Sequence, residues 1–144
     1  MSELTRLYKD LASLKADLWN AAEQRLQADF ALPVYCFLAM SAIGRLGACQ
    51  VDDVAAELGI GRRAAGELID HIEAEGCCHR RGRGARARRA LELTPWGRSV
   101  VREAGLAFDD ELERRLGGIV PPSDLEQFAA ALRRLRRPGI SCVS

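Results

Sequence analysis

Nowhere in the 144 residues does an apolar run approach the roughly 18 consecutive positions that a membrane span requires. The opening twenty residues, MSELTRLYKDLASLKADLWN, mix charges with leucines, which argues against a secretory signal and makes the cytoplasm the expected location. Histidine is scarce: His71 and His79 are the two in the chain, and they offer no paired metal-ligand spacing. Cysteine lacks the even, regularly spaced pattern of an extracellular disulfide framework, with five residues at Cys36, Cys49, Cys77, Cys78 and Cys142. Buried thiols in a reducing compartment are the expectation. Also missing are a phosphate-cradling glycine loop, a nucleophile motif and a histidine–carboxylate constellation. The chain is therefore not expected to be an enzyme, and it implies no metal or cofactor.

What is present is a local excess of one charge. The whole chain is nearly balanced, with 21 basic and 20 acidic side chains. Residues 51–76 are acidic, two arginines against seven acids, whereas residues 77–98 hold seven arginines against Glu92 alone. A length of 144 residues suits one domain with its own apolar core. The question is what a balanced domain does with one concentrated basic segment.

Leu4, Leu7, Leu11, Leu14, Leu18, Ala22 and Leu26 recur at helical spacing and predict an amphipathic helix over 4–28, about seven turns long. Such a stripe at a chain end needs a partner to cover it. Pro33 starts a second helix, apolar on most sides, that Gly47 closes. Asp52 and Asp53 suit the first turn of a short third helix, with Val54, Ala55 and Leu58 facing inward. Gly59-Ile60-Gly61 then makes a tight turn into a helix from Arg62 to Glu75, whose stripe is Ala65, Leu68, Ile69 and Ile72, and Gly76 closes it. Two helices across a glycine turn read as a helix-turn-helix. The segments CCHR and RALEL flank the arginine-glycine stretch as a two-stranded hairpin with a basic tip, a wing. Thr94 and Pro95 are a good N-cap and first residue for a helix to Leu116, with Val100, Val101, Leu106, Phe108, Leu112 and Leu116 available for burial. A last helix, capped by Ser123 or Asp124 and stopped by Pro138-Gly139, carries Leu125, Phe128, Leu132 and Leu135. The expected fold is mainly α with a small β-hairpin wing.

In this order of elements, the strings IEAEG and LELTPWG resemble the MarR family of bacterial winged helix-turn-helix transcriptional regulators, and the likeness covers nearly the whole chain. The resemblance implies one domain over 1–144, with a winged helix-turn-helix part at 33–98 and a helical dimerisation part at 1–32 and 99–144. It implies a homodimer that binds a pseudo-palindromic operator in double-stranded DNA, with half-sites roughly 34–36 Å apart. It further implies a repressor of resistance, export or biosynthetic genes, released by a small aromatic or anionic effector. One position departs from the family: where its wing carries an aspartate, a basic residue and an arginine, nine to seven residues before the threonine, this chain has Ala85, Arg86 and Ala87. Arg86 or Arg88 must then serve as the wing arginine, and a looser, more electrostatic wing is expected.

The candidate DNA-reading residues are Arg62, Arg63, Ala64, Gly66 and Glu67 on the outward side of the fourth helix, with Arg81, Arg83, Arg86 and Arg88 on the wing. Arg63 suits a guanine edge, Ala64 a thymine methyl and Glu67 a cytosine amino group or a neighbouring arginine. Wing arginines suit phosphates and a narrow minor groove. Effector-binding candidates are Trp19, Tyr35, Phe37 and His71, all of which equally suit an ordinary core. Two alternatives stand beside this reading. One is a redox-sensing regulator of the same fold, using Cys77 or Cys78 near Arg80 and Arg81, one of the two thiols being exposed. The other is a winged-helix interaction module whose wing docks on an acidic protein.

Overall fold

The computed structural model describes residues 2–136, apart from the Ala87 side chain. The Pro138-Gly139 stop and Cys142 lie outside them. Helix α1 (Glu3–Phe30) begins at Ser2, whose hydroxyl accepts the Thr5 N–H at 3.1 Å. Helix α2 (Val34–Leu46) follows Pro33, which has no side chain to cap it. Glu23 of α1 supplies the cap instead, accepting the Val34 N–H at 3.2 Å, so a carboxylate meets the positive end of α2. Helix α2 is buried on most sides, through Val34, Cys36, Phe37, Ala39, Met40, Ala42 and Ile43.

Helix α3 (Val51–Leu58) opens with a reciprocal cap in which the Gln50 N–H donates to Asp53 at 2.8 Å. Gly59 ends it at φ 68, a left-handed conformation that glycine adopts without strain. Helix α4 (Arg62–Ala74) turns Ala65, Ile69 and Ile72 into the core. Strands β1 (Cys78–Arg81) and β2 (Ala90–Leu93) pair antiparallel, Cys78 opposite Leu93 and Arg81 opposite Ala90, with a short 3-10 turn at Arg86–Arg88 between them. The Leu91 N–H also donates to the Cys49 carbonyl at 2.7 Å, which fastens the wing to the entry of α3.

Helix α5 (Pro95–Leu116) is pinned at its start. The Thr94 hydroxyl accepts the Gly97 N–H at 3.0 Å and donates to the Gly76 carbonyl at 2.6 Å. Gly97 passes so close to Cys77 that a Cβ there would stand 2.0 Å from the Cys77 carbonyl oxygen. Only glycine permits that approach, which is the physical content of the LTPWG string. Helix α6 (Pro122–Leu135) starts two or three residues earlier than the sequence suggests, capped at Pro121 rather than at Ser123 or Asp124, because Pro122 already has the φ of a first helical residue.

Two clusters make up the interior. The larger joins α2, α3, α4 and the hairpin through Met40, Ile43, Val54, Ile69, Ile72 and Leu91. The smaller joins α1, α2 and α5 through Ala22, Leu26, Val34, Phe37 and Ala104. At its edge Arg25 of α1 reaches Asp29 at 2.7 Å and, on α5, Asp110 at 3.0 Å. Of the α5 residues available for burial, Leu106 is 70% exposed in the single chain, and α5 packs within it through Ala104 and Ala107. Two residues along a helix is about 200° of rotation, so a helix that turns Ala104 inward turns Leu106 outward. Among the described residues no single helix is long and apolar enough to cross a membrane.

Candidate nucleic-acid interface

Helix α4 presents its first two turns to solvent. Arg62, Arg63, Ala64 and Glu67 are exposed and Gly66 is half-buried. Gly61 caps this end without a side chain, leaving the first backbone N–H groups of α4 facing outward, where an anion is favoured. Arg62 leans back to Asp52 of α3 at 2.7 Å. Arg63 is the freest cation here, its side chain 95% exposed and 3.5 Å from Glu67 one turn on. Glu67 is thereby matched with an arginine, one of the two roles open to it from sequence.

The wing arginines divide into two sets. Arg80, which sequence reasoning did not single out, has a side chain only 4% exposed and donates to Asp70 of α4 at 2.7 Å. Its Nε lies 3.6 Å from Glu73, beyond hydrogen-bond reach, and is the one buried side-chain nitrogen or oxygen among the described residues without a hydrogen bond. Arg86 completes the clasp, pairing with Glu73 and reaching Asp70 at 3.5 Å. Arg81 pairs across the hairpin with Glu92 at 2.8 Å. Arg83 and Arg88 are exposed and, among the described residues, no side chain pairs with either. Gln50 donates to the Arg88 carbonyl at 2.9 Å, and Arg89 donates to the Gly84 carbonyl at 3.2 Å.

The wing is electrostatic, as expected, and these ion pairs clasp its base. The missing family aspartate is replaced by carboxylates from α4, which hold the base of the wing through Arg80 and Arg86, while the tip keeps Arg83 and Arg88. A signal for Arg80 existed: strand alternation from the buried Cys78 puts Arg80 on the inward face, two residues on.

The four effector candidates do not converge. Trp19 and Tyr35 meet edge to face with ring centroids 4.7 Å apart. Phe37 is buried against Phe108, centroids 4.9 Å apart. Trp19 borders an apolar hollow of ≈ 300 Å³ between α1, α5 and α6, with Leu14, Phe108, Phe128 and Leu132. His71 borders a different hollow of ≈ 350 Å³, with Met40, Glu75, Trp96 and Val100.

The described thiols are buried, as expected, and the exposed thiol that the redox alternative needs is not among them. Both Cys77 and Cys78 are buried, at 7% and 2% exposure. Strand β1 begins only at Cys78, so alternation does not separate the two, and the start of α5 lies over Cys77. Burial pushes the Cys78 thiol up to about 11, and Cys36, Cys49 and Cys77 are also raised, in each case chiefly by burial. A sensing thiol needs exposure and a depressed pKa, and these four have neither.

No family model and no curated protein matches the sequence. Solved structures do match. A MarR-family transcriptional regulator from Rhodococcus sp. RHA1 superposes with a TM-score of 0.84 at 19% identity, covering 96% of this chain and 97% of its own. CouR from Rhodococcus jostii RHA1, bound to p-coumaroyl-CoA, gives 0.78 at 22% identity, covering 90% of each chain. BpsR from Bordetella bronchiseptica, whose DNA binding is regulated by 6-hydroxynicotinic acid, gives 0.77 at 20% identity over 94% of this chain and 96% of its own. The chain has the MarR fold. Within the MarR fold, α4 and the β1–β2 wing are the helix and wing that the sequence pattern anticipates, and both are described above from their own contacts.

Proposed function

We propose that this chain is a homodimeric, sequence-specific DNA-binding regulator, a repressor whose grip on its operator is released by a small effector. The observation that carries the reading is the pairing of an exposed Arg63, on an α4 start that no side chain caps, with unpaired Arg83 and Arg88 on a clasped wing. A helix in the major groove reads base edges with its first turns. Arg63 supplies a two-pronged donor for guanine, and Glu67 accepts from a cytosine amino group once Arg63 turns to DNA. Arg83 and Arg88 supply phosphate or minor-groove contacts from the wing. The exposed arginines favour DNA over an acidic protein partner. The exposed Leu4, Leu7, Phe128, Leu132 and Leu135 support a second copy as the cover for α1 and α6. Ligand-bound relatives of the same fold support an effector, and a cytoplasmic DNA-binding protein is the setting this reading requires.

The test is fluorescence anisotropy with DNA flanking the protein's own gene and a scrambled duplex, across about 50–200 mM salt. The expected result is a preference of about a thousandfold or more for one site. Equal, weak binding to both, vanishing at the upper salt, would remove the sequence-specific reading and leave an acidic protein as the partner to seek.

A further inference from the structure

We propose that the hollow between α4, the α1–α2 connection and the start of α5 takes an aromatic cation, with Trp96 against its ring and Glu75 opposite its charge. The proposal rests on the regulator reading for its consequence, since His71 and Ile72 belong to α4 and Glu75 caps its C-terminal end, so an occupant would press on the back of that helix.

The hollow measures ≈ 350 Å³, within the range of small-molecule sites. Leu32, Met40, Ile72 and Val100 give it an apolar floor. Trp96 stands on its wall 63% exposed, an unusual setting for an indole beside a core. The ring is not there by looseness: Pro95 and Gly97 on either side are held by the Thr94 bonds and the close approach to Cys77. An indole face is the best aromatic partner for a cation.

The charge on the wall has one sign. The acids within α4 are matched: Glu67 with Arg63, and Asp70 and Glu73 with Arg80 and Arg86. Glu75 has no side-chain hydrogen bond or ion pair among the described residues, and no arginine or lysine lines the hollow. Its field reaches inward, because the Glu75 carboxylate adds to the burial that raises the thiols of Cys77 and Cys36. A ligand carboxylate entering here would meet that negative charge uncompensated, whereas an ammonium group would neutralise it. The selection is thus opposite in sign to that for an aromatic acid.

The experiment is isothermal titration of the free protein with 2-naphthylmethylamine, 2-naphthoate and 2-naphthylmethanol, at about pH 8, above the general histidine range. The amine is expected to bind about tenfold or more tighter than the carboxylate, with the alcohol between them. Glu75→Gln should erase the preference for amine over alcohol, and Trp96→Leu should weaken the amine about fivefold or more. Both side chains reach the surface, so unchanged thermal melts are expected to certify the fold of each variant. Carboxylate binding as tight as amine, a preference that survives Glu75→Gln, or no binding of any probe would overturn the proposal. Because the titration contains no DNA, the two readings fail separately. Amine selection in a protein that selects no operator sinks the regulator and leaves the hollow, and operator selection without amine selection does the reverse.

Discussion

The region around α2, α3, α4 and the hairpin completes its core within one chain, while α1, α5 and α6 do not. In the first, Met40, Ile43, Ile69, Ile72 and Leu91 are all at or below 2% exposure. In the second, α6 buries no residue at all, and Leu4, Leu106 and Leu135 stand 77%, 70% and 65% exposed. Both regions have the same helical periodicity in sequence, so periodicity alone does not say whether a stripe is satisfied internally. An amphipathic helix states that it needs an apolar partner, and tertiary contact decides whether that partner lies in the same chain. The electrostatics follow the same division. Arg80 and Arg86 of the wing base are engaged in holding α4, whereas Arg83 and Arg88 have no side-chain partner among the described residues.

The largest expected effect comes from breaking the open region. Phe128→Glu combined with Leu132→Glu places two carboxylates on the apolar face of α6. Sedimentation should show a dimer becoming a monomer, with the dissociation constant raised about a thousandfold or more. A mass unchanged by both substitutions would mean that α6 is not an interface. The next largest effect belongs to the closed region. Leu91→Ala empties a fully buried site at the wing base and should cost about 2–5 kcal/mol in urea unfolding. Leu106→Ala, on the open face, should leave the stability of the monomeric double variant within about 0.5 kcal/mol. Equal effects of the two would erase the distinction between the regions.

A finer contrast separates the two sets of wing arginines. Arg80→Met deprives Asp70 of its buried donor and Glu73 of a neighbouring cation, and should cost about 1–3 kcal/mol. Arg83→Ala should leave the unfolding midpoint unchanged but lower the slope of log affinity against log salt on DNA by about one. If Arg83→Ala destabilises the protein and leaves the salt slope alone, the tip is structural and the assignment of free cations is wrong.

How much of this was legible in the sequence depends on the range of the interactions concerned. The elements were readable because their signals are local. The Thr94-Pro95 start, the glycine turn at 59–61 and the stripe Ala65, Ile69 and Ile72 each act within a turn or two. The basic loop was readable as charge density. What was hidden is which cations are spent, since the Asp70–Arg80 and Glu73–Arg86 pairs join residues ten and thirteen positions apart across two elements. Cys77 is buried because strand alternation begins only at Cys78, and Leu106 stands outward because the apolar positions of α5 fall on more than one face. In the candidate effector region, sequence could nominate aromatics, but only packing separates buried Phe37 from exposed Trp96.

The smallest effect tests how dry the closed region is. In the folded protein burial holds the Cys78 thiol at about 11 against an ordinary 9.0. The neutral thiol is favoured by folding, so its contribution to stability is complete below about pH 9. Between that value and about 11 the unfolded chain releases the proton while the folded chain keeps it. The unfolded state then binds fewer protons, and unfolding free energy must fall as pH rises through this window. Urea titrations from pH 8 upward should show that decline, and Cys78→Ala should flatten part of it, the rest belonging to Cys36, Cys49 and Cys77, which are raised in the same direction. The same burial predicts slow reaction of these thiols with a disulfide reagent in buffer and fast reaction in urea. A fast-reacting thiol in the native protein that maps to Cys77 or Cys78 would mean that water reaches the wing base. The closed region would then be open as well, and the thiol-sensing alternative would regain the exposure it lacks here.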